Sequence, residues 1–217
     1  MIEVTYVDHM GDDLSVVNAA RVSFGKKSDY DWSDLDNIKI RDRDVNLIKY
    51  LAKHQHYSPF GHAFASFHIK APIFVHAQLL KHKFLRANTI SRRYVDDEPE
   101  FYVPEVWRGR SADKKQGSEG EVNSTFSIEF YNEKAFQAYD HLLNDGVAPE
   151  QARMVLPQST MTEWYWSGSL DAFAAMYKLR VKEDTQLETR LVANQIDTEM
   201  SKLFPVSWNA LVWGDQV

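Results

Sequence analysis

The stretch Lys81–Tyr94 reads KHKFLRANTISRRY. It gathers Lys81, His82, Lys83, Arg86, Arg92 and Arg93 and contains no Asp or Glu. The chain around it is acidic, with 31 Asp and Glu against 25 Lys and Arg and a net charge of −6. A concentrated positive field on a negative protein favours a small anionic ligand. A nucleic-acid binder more often carries a basic total or a basic face, and none is expected here. The run by itself is equally compatible with a solvated basic loop, so the decision rests on its neighbours.

The residues leading into it, KAPIFVHAQLLKHK (Lys70–Lys83), read as a helix. Pro72 suits a first helical position, where a missing N–H costs nothing. Ile73, Phe74, Ala77 and Leu80 recur at helical spacing and predict a buried face. Gln78, Lys81 and His82 stand three to four residues apart and share another face. A carboxamide, an ammonium and an imidazole thus converge at the helix end, and beyond it Asn88, Ser91 and Arg93 suit a loop. The set offers donors and acceptors for a uracil-like ring and cations for a phosphate.

The rest of the chain reads in an α+β order. Ile2–Val7 predicts a strand, Asp13–Val22 and Arg43–His54 helices, and Ala63–Ile69 a second strand by its alternation. Ser28–Lys39 is polar and Asp-rich and reads as a loop. Arg108–Ser124, rich in Gly, Ser and Lys, reads as a mobile loop or insertion. Ile128–Leu143 predicts a helix closed by Gly146, and Pro149–Leu156 a short helix ending at Pro157. Thr160–Ser167 predicts a strand with Trp164 and Trp166 facing one way. Leu170–Leu179 and Glu183–Phe204 predict helices, the last stopped by Pro205. The 217 residues, 44% hydrophobic, suffice for one domain over 1–217 with a sizeable core. No apolar run has the length of a membrane span, and the first residues lack a signal-peptide pattern. The chain contains no cysteine. That excludes a disulfide framework, thiolate metal ligation and a cysteine nucleophile, and suits a cytoplasmic setting.

Arg153 and Arg180 form a second constellation, each on or at the end of an apolar-periodic helix. Arg180 follows AFAAMYKL, an uncommon place for a guanidinium without a partner. An ion pair with Glu183, Asp184 or Glu188 competes with a ligand as the explanation. Ser91 reads as a hydrogen-bonding group, because no adjacent base is present to make it a nucleophile. No GxGxxG fingerprint occurs, so a Rossmann-type site is not indicated. His54 and His56 lack an evident third ligand, and no metal site is expected.

Lys81-His82-Lys83, seven residues, Ser91 and then Arg93-Tyr94 resembles the signature of flavin-dependent thymidylate synthases, which carry Arg-His-Arg, seven residues, Ser and then Arg-Tyr. The resemblance continues in order along the chain, through NAARVSF (Asn18–Phe24), HQHYSPFGHAFASFHIKAPIF (His54–Phe74), ARMVLP (Ala152–Pro157) and LRVKEDTQLE (Leu179–Glu188). It implies an α+β fold with a central sheet flanked by several helices, and a homotetramer with sites between subunits. It implies methylation of deoxyuridine monophosphate (dUMP), with FAD as cofactor and NADPH and methylenetetrahydrofolate as co-substrates. The cysteine-thiolate chemistry of the unrelated folate-dependent thymidylate synthases is not open to this chain.

Residue by residue, the resemblance assigns Gln78, Lys81, Thr89, Ile90, Ser91, Arg92, Arg93, Arg153 and Arg180 to dUMP, with Arg180 catalytic. It assigns Ser23, His56, Ser58, Lys81, His82, Lys83, Phe84, Asn88 and Ser169 to FAD. Departures accompany it. Lys81 and Lys83 stand for two arginines and lose the bidentate fork. Thr89 stands where the family usually has Glu. Gly61, Asp171 and Ala175 also differ, and Asp171 reverses a charge. These changes keep two other readings open: an altered dUMP-modifying enzyme such as a dUMP hydroxymethylase, or a non-catalytic nucleotide- or polyanion-binding homologue.

Overall fold

Along Met161–Ser169 buried side chains alternate with partly exposed ones, and Trp164 and Trp166 are both buried, the period of a strand with one covered face. The computed structural model, which describes residues 1–34, 38–113 and 117–214, places this strand inside a four-stranded sheet. In chain order the elements are β1 (Glu3–Met10), α1 (Asp13–Arg21), α2 (Asp42–Lys53), β2 (Phe64–Pro72), α3 (Ile73–Leu79), β3 (Leu85–Thr89), β4 (Trp107–Arg110), β5 (Ser118–Val122), α4 (Ile128–Asn144), α5 (Pro149–Ala152), β6 (Met161–Ser169), α6 (Leu170–Arg180), α7 (Leu187–Leu203) and α8 (Pro205–Trp213). The sheet order is β1-β2-β6-β3, antiparallel throughout. This is the α+β class expected from the sequence.

One face of the sheet builds the core. Ala65, Phe67, Ile69 and Ala71 of β2 join Trp164 and Trp166 of β6 in a single buried cluster with Phe173 of α6, Ile196 of α7 and Trp208 of α8. The Phe173 ring meets Phe67 and Trp166 edge-on at 5.3 and 5.5 Å, a favoured aromatic geometry. The opposite face is polar, with Ser66 and Ser167 hydroxyls 2.8 Å apart and His68 3.1 Å from Glu163.

The structure corrects four sequence expectations. The helix expected over Lys70–Lys83 is α3 alone. Pro72 still pairs with Met161 as the end of β2 and is the residue before the helix, with ψ at 154°. The Ile73 N–H, donating to Thr160 O at 2.9 Å, carries the sheet pairing one residue further. The expected basic loop contains β3, so Asn88 lies on a strand. The edge of β6 offers its backbone to these residues from Leu85↔Gly168 to Thr89↔Trp164. Gly168 permits the approach, since a Cβ there would fall 2.4 Å from Leu85 Cδ2 and 2.9 Å from Phe84 O.

Within the expected loop at 108–124, β4 and β5 form a hairpin pairing Trp107 with Val122. A register shift between Arg108 and Gly109 breaks the alternation that would reveal the hairpin in the sequence. Residues 114–116 of that stretch, and 35–37 of the other expected loop, lie outside the described residues. Finally, Pro205 ends α7 but also begins α8, where it sits at the start of the helix. The Asp13 carboxylate accepts from the Val206 and Ser207 N–H groups at 2.9 and 2.8 Å. A carboxylate distant in sequence therefore caps donors that have no partner within the helix.

Candidate active site

The ends of α3 and α6 meet through Arg180. Its Nη2 donates to the Gln78 carbonyl at 2.9 Å, one of the last carbonyls of a helix, which lack internal partners. Its Nε donates to His82 Nε2 at 2.8 Å. Among the described residues, no carboxylate forms an ion pair with Arg180, so the alternative of pairing with Glu183, Asp184 or Glu188 does not hold. Glu188 is taken by Arg108, whose Nη2 lies 2.7 and 2.9 Å from its two oxygens. The Arg180 charge is thus held in place by two neutral acceptors.

His82 must be neutral to accept that bond, with its proton on Nδ1. Burial, reinforced by the Arg180 charge, pushes its pKa down to about 4. Since the folded value lies below the ordinary one of about 6.5, this group contributes stability above that ordinary value. The contribution is lost as pH falls toward 4. Ring-proton NMR is expected to show no titration of His82 between pH 5 and 8, and an inflection near 6.5 would contradict the geometry.

Gln78 is held at both ends of its carboxamide. Its Nε2 donates to Gln186 Oε1 at 2.5 Å, and its Oε1 accepts from Thr189 Oγ1 at 3.2 Å. Gln78, Lys81 and Arg180 line a cavity of about 750 Å³ together with Tyr102, Trp107 and Arg108. The cavity combines aromatic surface with convergent cations, a composition suited to an anionic ring compound.

The remaining residues assigned to the nucleotide gather elsewhere. Arg93 lies 3.3 Å from a Glu150 carboxylate oxygen, and Arg153 Nε donates to the Glu150 carbonyl at 3.3 Å. The Ser91 carbonyl accepts from the Tyr94 and Val95 N–H groups, and its Oγ accepts from the Arg93 N–H. Arg92 bonds the Asp97 carbonyl at 2.7 Å. The Ile90 N–H donates to Glu163 O, continuing the β3 pairing. Thr89 Oγ1 is 3.0 Å from His76 Nε2. Ser91, Arg93 and Arg153 do not line the Arg180 cavity. One chain therefore carries two separate constellations, Gln78–Lys81–Arg180 and Ser91–Arg93–Arg153.

The residues assigned to a flavin are mostly exposed. Ser23 lies in the 3-10 turn Val22–Phe24, whose Val22 and Phe24 are 72% and 77% exposed. His56 stacks on Tyr50 at 6.2 Å, and Ser58 begins the turn Ser58–His62. Lys83 and Asn88 are exposed, whereas Ser169 is buried at the start of α6. Phe84 is 80% exposed and holds a φ of 64°. For a bulky non-glycine residue that is a strained conformation of the kind found at ligand sites. The exposed Phe84 ring next to the Lys83 cation suits a planar, phosphorylated aromatic cofactor.

Sequence reading misses Gln186, Thr189, Arg108 and Tyr102. Gln186 and Glu188 stand at a helix start within LRVKEDTQLE, and their partners come from the polar face of α3, from the expected loop at 108–124 and from the segment before it. Only the tertiary fold brings these residues together.

The family model described as thymidylate synthase complementing protein matches residues 5–206. A flavin-dependent thymidylate synthase from Thermus thermophilus is 39% identical over 210 residues, covering 95% of this chain and 74% of the relative. One from Kosmotoga olearia is 39% identical over 215 residues, covering 96% and 89%. Among solved structures, the UMP/dUMP methylase PolB from Streptomyces cacaoi bound with 5-Br dUMP superposes with a TM-score of 0.82. It is 33% identical, covering 97% of this chain and 94% of that one.

Proposed function

The chain belongs to the thymidylate synthase complementing protein family, and from that premise we propose that it methylates dUMP to dTMP as a flavin-dependent thymidylate synthase. Methylenetetrahydrofolate is the one-carbon donor and NADPH the reductant in this reading. The observation that carries it is Arg180, a guanidinium held by His82 and the Gln78 carbonyl with no carboxylate partner among the described residues. Placed at the N3/O4 edge of the pyrimidine, it stabilises the negative charge that builds there as carbon 5 becomes nucleophilic. Gln78 reads the ring edge, and Lys81 adds a cation beside it. No thiolate of this chain attacks the ring, because the sequence has no cysteine.

The phosphate falls to Ser91, Arg93 and Arg153. Their separation from the Arg180 cavity supports a site completed between subunits, in keeping with the homotetramer that the resemblance implies. The exposed Phe24, Phe84, Tyr94 and Met154 supply apolar surface of the kind such contacts cover. Phe84, Lys83, His56 and Ser58 would hold FAD, with Ser23 from a neighbouring subunit, and bound reduced flavin supplies the hydride. A cytoplasmic setting belongs to the same reading, supported by its nucleotide and folate substrates. Among the described residues, no helix is long and apolar enough to cross a membrane.

The test is the mass of the nucleotide product. The protein is incubated with dUMP, methylenetetrahydrofolate and NADPH, with and without FAD, and in parallel with UMP. A gain of one methylene on dUMP that requires FAD is expected. A hydroxymethyl product would select an altered dUMP-modifying enzyme, and binding without product would select a non-catalytic homologue. Methylation of UMP alone would also overturn the reading.

A further inference from the structure

We propose that Asp44 and Asn18 are positioning residues for the flavin: they clasp residues 21–28 at both ends, so that the exposed tip Val22–Phe24 meets FAD held by a neighbouring copy already in its bound shape. The inference rests on the reading of Ser23 as a contact to that FAD.

Asp44 is fully buried in the first turn of α2. It shares the buried face of that helix with the core residues Ile48 and Leu51, so the core fixes its place. Its Oδ1 takes the donors that reach the carboxylate. Arg21 Nε and Nη2 donate to it at 3.2 and 2.5 Å, and the Ser28 hydroxyl donates at 3.0 Å. Oδ2 accepts no hydrogen bond among the described residues, and Arg43 Nε stands 4.0 Å from it. A buried carboxylate is costly unless it is paired. This one directs its bonds to the two ends of one short segment.

Asn18 on α1 closes the far end a second time. Its side-chain oxygen accepts from the Ser28 N–H at 2.7 Å, and its NH2 donates to the Ser28 carbonyl at 3.2 Å. Between the ends the chain turns once. The Gly25 N–H donates to Val22 O at 3.0 Å and the Lys26 N–H to Arg21 O at 3.2 Å. These are the paired bonds that end a helix on a left-handed glycine, and Gly25 has a φ of 61°.

Residues 22–27 are nonetheless all exposed. Segments so exposed are ordinarily the mobile parts of a chain, and ordering them on contact with a ligand costs affinity. Here the bonds at the base supply that order in advance. The apolar Val22 and Phe24 are left to cover a partner's surface. Ser23 between them makes no side-chain hydrogen bond among the described residues. Lys26 and Lys27 follow it, both exposed, and their charge suits the diphosphate of FAD.

The test is titration of the purified protein with FAD, followed by flavin fluorescence, alongside steady-state turnover of dUMP. Asn18→Ala combined with Ser28→Ala opens the far end of the clasp. Both residues border a cavity of about 740 Å³, where water can meet the backbone groups they release. This variant is expected to raise the Kd for FAD by about 10-fold or more. The Kd for dUMP, and kcat at saturating FAD, are expected to change by less than about twofold, because only the ordering cost has changed. Asp44→Ala is expected to weaken FAD binding in the same way, and Asp44→Asn, which keeps an oxygen for Arg21 and Ser28, to bind FAD more tightly than Asp44→Ala. If Asp44→Ala does not fold, the Asn18 and Ser28 variant carries the test. Ser23→Ala is expected to weaken FAD binding in wild type and to add little in the opened variant, where the tip no longer holds its contact. An unchanged Kd for FAD in the opened variant, or a loss of kcat that saturating FAD does not restore, would overturn the inference. Ser23→Ala that binds FAD as wild type does would instead overturn the assignment of Ser23, and wild type that binds no FAD the proposed function, each taking this inference with it.

Discussion

Arg180→Ala is expected to lower kcat by about 100- to 1,000-fold, the loss seen when one donor aimed at developing charge is removed. The protein should remain folded. Arg180 makes two hydrogen bonds, to His82 and to the Gln78 carbonyl, and both acceptors stand near an open cavity where water can replace it. Two such bonds contribute on the order of 1–3 kcal/mol together, a small part of the stability of a domain this size. Arg180→Lys separates charge from geometry. An ammonium keeps the charge but lacks the planar fork that bonds His82 and Gln78 while leaving a third edge for the substrate. It is therefore expected to recover nucleotide binding more than turnover. Steady-state kinetics with thermal melting checks this, and undiminished kcat in Arg180→Ala would remove Arg180 from the chemistry.

Arg180 also shows how far the sequence carries. That a guanidinium ends an apolar helix is visible in AFAAMYKLR, and the local pattern leaves its partner undecided between a carboxylate and a ligand. The structure decides because Glu188, one candidate, is already paired with Arg108 from a hairpin that the sequence presents as a Gly- and Ser-rich loop. Gln78, Lys81 and His82 are legible as neighbours by spacing alone. α3 nonetheless ends at Leu79, so His82 reaches the site from a turn and is held there by Arg180. Most strands and helices follow from apolar period, because one covered face leaves that period in the sequence. The segments that escape owe their form to distant partners. β3 depends on the free edge of β6 and on Gly168, and α8 on a carboxylate from the start of α1. Thr189 is legible as a helical residue but not as the partner of Gln78, a contact between residues 111 positions apart.

The second large effect concerns the ion pair of Arg108 and Glu188 in the wall of the cavity. Arg108→Met is expected to destabilise the protein by about 3–5 kcal/mol, because it leaves the Glu188 carboxylate buried without its cation. The Glu188 side chain is 4% exposed and the Arg108 side chain 20%, so solvent screens the pair little. Replacing both with methionine should recover much of the loss, since a buried pair exchanged for packed apolar side chains is often close to neutral. The pH dependence distinguishes this account from simple loss of packing. In wild type, burial acts to raise the Glu188 pKa, but the Arg108 bond and charge, together with further hydrogen bonds to the carboxylate, hold it below its ordinary value. A depressed folded pKa contributes stability above the unfolded value, and that contribution is lost as pH falls through the folded one. In Arg108→Met the opposing cation is gone and burial, the largest influence on this carboxyl, is countered only by neutral hydrogen bonds, so the folded pKa is expected to rise above the unfolded value and the sign to reverse. Acidification from neutral pH toward 5 should therefore narrow the stability gap between wild type and variant in urea melts. A gap independent of pH over that range would mean that Arg108 acts through its contacts alone and that the charge on Glu188 does not set the cost.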